Sequence, residues 1–204
     1  MTAPDPTAAD PPRIAVVGAG LAGLMCARTL ADQGLVVRVF ERSRGLGGRC
    51  GTRRDGPWAF DHGAQYFTSR DPRLAASMDD WRARGVVARW EGTVIIRERG
   101  GARSASTEPS ATDRWVAVPG MGALAHDLAR DLDVQRTTEI AAIVRDAGGW
   151  RVVAQDGGTH GRFDAVLVAI PPAQAHALLA PHAPALAQSA AAAVMRPTWA
   201  TMLV

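Results

Sequence analysis

Six residues near the start of the chain have types and spacing suited to holding an anion: Gly18, Ala19, Gly20, Leu21, Ala22 and Gly23, with the glycines in the order GxGxxG. Each glycine has its own task in such a pattern. Gly18 permits a tight turn, Gly20 lets backbone approach a diphosphate with no Cβ in the way, and Gly23 lets a following helix press on a sheet. Free N–H groups and the positive dipole end at that helix's amino terminus then hold the diphosphate, so no lysine is required. Glu41 lies about 20 residues beyond the glycines, where a carboxylate accepts hydrogen bonds from both ribose hydroxyls and repels a 2′-phosphate. The chemistry called for is dinucleotide binding, with FAD or NAD favoured over NADP.

The elements that must position these residues are legible around them. Arg13 to Val17 is a short apolar run of the kind that makes a strand buried on both faces. The helix that follows runs to about Gln33 and ends at Gly34, a residue suited to the left-handed cap position. Ala27 keeps the helix face toward the sheet small. A second strand, Val36 to Phe40, delivers Glu41 at its end.

Directly after Glu41 stands a second glycine loop with Arg42, Gly45, Gly47, Gly48 and Arg49, reading RSRGLGGR. Simple NAD dehydrogenases have no use for it. It resembles the RxGGR segment of the flavin-dependent amine oxidase superfamily. That resemblance implies that its backbone N–H groups and arginine reach the diphosphate and the flavin edge. Further segments, GAGLAGL, TRR, DHGAQYF, RWVAVPGMGALAHDLA and FDAVLVAIPPAQA, resemble the renalase-like group, bacterial relatives of renalase within that superfamily.

The resemblance extends from Arg13 over essentially the whole chain. It implies a bound FAD, with Ile140 at the aliphatic position whose backbone pairs with the adenine. It also implies oxidation of a small amine or a reduced pyridine-nucleotide-type substrate, with molecular oxygen or another electron acceptor taking the electrons. Chains of this group continue past the position of Val204, so the sequence reads as truncated at its carboxy terminus, and the catalytic acid or base is left unassigned. Two other readings stay open: a truncated dinucleotide-binding module without turnover, and an NAD-dependent dehydrogenase.

Asp61 to Thr68 carries His62, Gln65 and Tyr66 flanked by Gly63 and Ala64, small residues that allow something large to approach the backbone. Beside a flavin, an amide such as Gln65 bonds to ring nitrogens or carbonyl oxygens and tunes the ring. For His62 and Tyr66, the alternative is a satisfied polar group in the core.

Asp71 and Pro72 open a helix continuing through Leu74, Met78 and Trp81. Val86 to Trp90 and Thr93 to Arg97 read as two strands joined across Glu91 and Gly92, and Gly100 to Asp113 as a polar connection. Trp115 to Val118 is another strand, followed by a helix from Met121 to Asp131. Val134 to Arg136 is a parallel strand. Ile140 to Val144, Trp150 to Ala154 and the stretch around Arg162 form a β-meander, and Asp164 to Ile170 returns parallel to the first strand. Arg196 to Val204 turns extended.

The expected fold is therefore α/β. It comprises a Rossmann-like FAD-binding domain with parallel sheet and β-meander crossover, plus part of a second, substrate domain. The expected boundaries are 1–12 for a disordered tail, 13–68 with 115–170 for the FAD-binding domain, and 69–114 with 171–204 for the partial substrate domain.

Composition excludes several classes. The apolar content is 47% and mean hydropathy is near zero, with no run approaching the roughly 18 apolar residues of a membrane span. The tail MTAPDPTAADPP lacks the charge and apolar core of a secretory signal, which points to a cytoplasmic protein. Cys26 and Cys50 are too few for a metal set, so no metal is expected. The net charge is +3 and no lysine occurs. The arginines are scattered among acids with few aromatics, which argues against a nucleic-acid partner. A small-molecule substrate is expected, and the oligomeric state is not assigned.

Overall fold

The computed structural model describes residues 10–91, 94–97, 103–106 and 113–203. The disordered tail expected over 1–12 lies mostly outside them. In chain order the elements are β1 (Arg13–Val17), α1 (Leu21–Asp32), β2 (Val36–Phe40), β3 (Arg53–Asp55), β4 (Trp58–Phe60), α2 (Ala75–Ala83), β5 (Val87–Arg89), β6 (Val94–Arg97), β7 (Arg103–Ser106), β8 (Trp115–Ala117), α3 (Gly122–Leu128), β9 (Asp133–Gln135), β10 (Ile140–Asp146), β11 (Gly149–Ala154), β12 (Thr159–Phe163), β13 (Ala165–Val168), α4 (Pro172–Leu179) and α5 (Pro184–Ala191). They fall into two compact units, 1–48 with 128–199, and 49–127 with 200–204. The expected segmentation differs: 49–68 and 115–127 go with the second unit, and 171–199 with the first.

The first unit is built on a parallel sheet in the order β13-β1-β2-β9. Its inner strand β1 buries Ile14 to Val17, as expected of a strand flanked on both sides. The antiparallel meander β10-β11-β12 supplies a second layer. The core between them gathers Ala15, Val17, Phe40, Ile140, Ile143, Val152, Ala154, Phe163 and Leu178. Phe40 sets its ring edge-on to Phe163 at 6.0 Å between centroids. Burial of each large side chain in this layer is worth about 1.5–3 kcal/mol. Helix α1 stops at Gln33, and Gly34 follows with φ +84°, the left-handed value that glycine adopts without penalty.

The second unit is made of three two-stranded ladders, β3-β4, β5-β8 and β6-β7, with α2 and α3. Asp71 does accept the Arg73 N–H at the start of a short 3₁₀ turn that leads into α2. Met78 and Trp81 are buried on α2 as its spacing requires.

Four expectations need correction. The strands flanking Glu91 do not pair with each other: β5 joins β8, and β6 joins β7. The ladder β5-β8 sets Val87 opposite Ala117, both buried, and that long-range match outweighs a local hairpin. The polar connection from Gly100 to Asp113 contains a strand, β7, and its remaining interior residues lie outside the described ones. Helix α3 ends at Leu128, short of the expected Asp131, because a turn closes there and Asp131 takes a left-handed φ of 60° that redirects the chain into β9. Residues 196–203 form no strand.

Candidate functional site

The turn from β1 into α1 is shaped by close backbone approach. Gly18 has φ +108°, and a Cβ there would stand 2.6 Å from the Ala169 carbonyl oxygen at the end of β13. A Cβ on Gly23 would collide with the Gly18 carbonyl oxygen and meet the Ala169 side chain at 3.2 Å. Gly20 is different. Nothing lies within 4 Å of the position a Cβ would take, so it faces open space with φ −72°.

Helix α1 carries no side-chain cap and no acid in its first turn. Its first internal bond runs from Leu24 N–H to the Gly20 carbonyl at 2.9 Å, leaving the N–H groups of Leu21, Ala22 and Gly23 without a partner inside the helix. A negatively charged group placed there meets donors and the positive end of the dipole, with no acid in the helix's own first turn to oppose it.

Glu41 is buried, at 8% exposure, and both of its carboxylate oxygens are engaged. Oε2 accepts the Ala19 N–H at 2.9 Å, and Oε1 accepts the Ser43 N–H at 2.8 Å. Its own N–H donates to the Gln135 carbonyl and its carbonyl accepts from Thr138, each at 2.8 Å. A carboxylate offers about four lone-pair sites, so one on each oxygen is left for ribose hydroxyls. The two glycine loops also meet directly. Gly47 N–H donates to the Ala19 carbonyl at 2.9 Å, Gly20 and Gly47 pair as an isolated parallel bridge, and a Cβ on Gly48 would lie 3.6 Å from Gly20 Cα. These groups form a cradle of backbone, which fits a diphosphate with its sugar beside it.

The structure therefore brings together Gly18, Ala19, Gly20, Leu21, Ala22, Gly23, Glu41 and Gly48 in the first unit. Ala19 is fully buried, and its N–H is committed to Glu41, so it braces the turn from within. Arg42 is exposed and forms no ion pair among the described residues. Ile140 opens β10 opposite Ala154, with its side chain in the core. Ser43, Gln135 and Thr138 escape a reading of side-chain motifs because each acts through its main chain.

Arg49 and Gln65 belong to the second unit, and both are exposed. What approaches the small residues Gly63 and Ala64 is the chain itself. The Arg49 carbonyl accepts the Ala64 N–H at 2.9 Å, and a Cβ on Gly63 would collide with that carbonyl. His62 is exposed, so the core alternative for it is set aside. Tyr66 is 42% exposed and stacks on Trp90.

Asp61 turns out to be a brace. Its Oδ1 accepts the Thr52 hydroxyl at 2.6 Å and the Met121 N–H at 3.0 Å, while Thr52 Oγ1 accepts the Gly122 N–H at 3.0 Å. Burial pushes the Cys50 thiol above its ordinary pKa, with Arg49 opposing and Asp61 reinforcing the shift, so Cys50 is a neutral thiol at pH 7 and a poor nucleophile. Among the described residues no cluster of His, Cys, Asp or Glu could hold a metal ion, and no helix is long and apolar enough to cross a membrane.

Comparison with known proteins agrees with this geometry. Residues 16–81 match the NAD(P)-binding Rossmann-like domain, and residues 100–202, half of the chain, match the flavin containing amine oxidoreductase family. The chain is 38% identical over 68 residues to protoporphyrinogen oxidase 2, chloroplastic/mitochondrial, of Arabidopsis thaliana, a match covering 33% of this chain and 13% of that one. It is 60% identical over 38 residues to the zeta-carotene-forming phytoene desaturase of Myxococcus xanthus, covering 19% and 7% respectively. In three dimensions it is similar to wild-type putrescine oxidase bound to putrescine, with TM-score 0.62 and 15% identity over 82% of this chain. The chain spans 60% of that protein's length.

Proposed function

Because the chain belongs to the flavin containing amine oxidoreductase family, whose members are FAD-dependent oxidoreductases, we propose that it binds FAD and serves the oxidation of a small amine or a reduced pyridine-nucleotide-type compound, with molecular oxygen as electron acceptor. The observation that carries this reading is the uncapped amino terminus of α1 lying beside a buried carboxylate that still has lone pairs to offer.

When bound, FAD supplies the two-electron redox chemistry. The protein's own contribution begins at α1, where the N–H groups of Ala22 and Gly23 donate to diphosphate oxygens. Gly20 and Gly48 keep that space clear of side chains. The remaining lone pairs of Glu41 accept from ribose hydroxyls, and its charge turns away a 2′-phosphate. Arg42 supplies a cation free of any carboxylate among the described residues. The roles that the family resemblance gives Arg49, Gln65 and the Ile140 backbone, toward diphosphate, flavin and adenine, belong to the proposal as well.

Within the family, the segments TRR and DHGAQYF favour the renalase-like group. The two free thiols, Cys26 and Cys50, suit a reducing compartment and support a cytoplasmic location.

The test is the visible spectrum of the purified protein after incubation with FAD and gel filtration. Flavin absorbance that stays with the protein, and bleaches anaerobically on adding amines or reduced nicotinamides, is the expected result. A colourless protein that retains NAD would overturn the cofactor assignment, and a yellow one that no such reductant bleaches would overturn the substrate class.

A further inference from the structure

Three segments of the second unit are stitched together by main-chain bonds. Phe67 and Trp115 exchange N–H···O bonds at 2.9 and 2.8 Å, and the Trp90 N–H donates to the Arg114 carbonyl at 2.8 Å. This arrangement brings three side chains to one place. The rings of Tyr66 and Trp90 lie parallel, 6° apart in plane with centroids 5.7 Å apart. The Arg114 guanidinium carbon sits 5.2 Å from the Tyr66 centroid and 5.8 Å from that of Trp90.

Among the described residues, nothing balances the charge of this cluster. Asp113, next to Arg114, is taken by Arg89 at 2.9 Å. Among the described residues, Arg114 makes no ion pair or side-chain hydrogen bond, and neither the Tyr66 hydroxyl nor the Trp90 indole N–H has a partner. Glu91 forms no ion pair there either. A groove of about 620 Å³ in the same unit offers the contrast, because its arginines are answered by acids: Arg82 pairs with Asp79 at 3.5 Å and Arg89 with Asp113. The stacked cluster instead presents donors that no acid among the described residues meets, on aromatic faces of which Tyr66 is 42% exposed.

We propose that Tyr66, Trp90 and Arg114 form a binding site for a planar aromatic carboxylate. A guanidinium lying over aromatic rings keeps the N–H groups of its edge for a carboxylate, which it holds with two parallel bonds. The exposed ring of Tyr66 accepts a second flat ring by offset stacking. An amine meets the positive charge of Arg114 and is disfavoured. The site is argued from the second unit alone and stands whether or not the FAD reading holds.

The test is calorimetric titration of the full chain, with and without FAD, using benzoate, cyclohexanecarboxylate and benzylamine. Benzoate is expected to bind, with cyclohexanecarboxylate at least tenfold weaker and benzylamine silent. The ligand series on the unaltered protein needs no substitution, so a folding defect cannot imitate the answer. Arg114→Gln and Tyr66→Leu should each weaken benzoate at least tenfold with flavin absorbance retained, and Tyr66→Phe should keep most of the affinity. No benzoate binding, equal binding of the two acids, or unchanged binding by Arg114→Gln would each overturn the site. Loss of flavin absorbance in the unaltered protein would bear on the FAD reading alone.

Discussion

The sheet of the first unit and the ladders of the second are held by different forces. In the first, apolar strands stack on a meander, and the inner strand β1 exposes almost nothing beyond Arg13. In the second, the described buried apolar residues are only Met78, Trp81, Val87, Ala117, Met121, Leu124 and Ala125, and paired charges take a larger share. Asp127, whose side chain is 9% exposed, accepts from two Arg84 nitrogens and, at 3.1 Å, from the Trp81 indole N–H. Arg84 also holds Asp80 at 2.6 Å. One unit thus depends on volume and the other on partners, and substitutions should separate the two.

The largest effect is expected where volume leaves no choice. Gly23→Ala drives a methyl into the Gly18 carbonyl, which is backbone and cannot swing aside. It should lower unfolding free energy by about 3 kcal/mol or more and abolish FAD retention. Gly20→Ala is the matched control, since its methyl enters open space. It should cost under about 1 kcal/mol of stability, the scale of an N-cap change, while FAD retention falls at least tenfold. Urea unfolding and flavin absorbance after gel filtration read the two quantities, and equal losses of stability would remove the distinction between the glycines.

On the partner side, Asp127→Ala leaves the Trp81 indole N–H without its acceptor and takes from Arg84 one of its two carboxylates, Asp80 remaining. It should cost about 1–2 kcal/mol, for one lost hydrogen bond and one solvent-screened ion pair. Because this carboxylate is not one of the groups that line the turn from Gly18 to Gly23 or that hold Glu41, FAD retention in the folded protein should be unchanged. A drop in retention at temperatures where circular dichroism shows a folded chain would contradict that separation.

Glu41 combines both means. Glu41→Ala removes the acceptor of two main-chain N–H groups and any ribose contact together, so it should weaken FAD retention and also lower the stability of the FAD-free protein, each by about 1–3 kcal/mol. The second effect is the informative one. If the FAD-free variant unfolds at the urea concentration of the parent protein, Glu41 serves the ligand only.

What sequence could reveal follows the same division. The strands β1 and β2, the cap at Gly34 and the meander were legible because apolar runs and turn residues encode them locally. The pairing of β5 with β8 was not, since it depends on Val87 meeting Ala117 across a long span of chain. Likewise Glu41 was identifiable as an acid in the right place. Its bonds to Ala19 and Ser43 were hidden, because a main-chain N–H leaves no mark in a list of side chains. Gly63 shows the reverse error: its smallness suggested an approaching ligand, and what approaches is the Arg49 carbonyl.

The smallest effect belongs to an ion pair in the first unit, on the edge strand β9. Asp133 bonds Arg38 at 2.6 Å and Gln135 at 2.9 Å. Partial burial by itself would raise its pKa, but the hydrogen bonds from Gln135 and Arg38 outweigh it and hold the carboxyl below the usual aspartate value. A folded pKa below the unfolded one gives stability that is present above the unfolded value of about 3.9 and is lost as pH falls through the folded one. With side chains 36% and 42% exposed, solvent screens the pair, so the contribution should stay under about 1 kcal/mol. Asp133→Asn should therefore lower stability slightly at pH 7 and flatten its decline between pH 5 and pH 3. An acid profile that is merely displaced, with the same slope as the parent protein, would show that this carboxylate contributes nothing to the pH dependence.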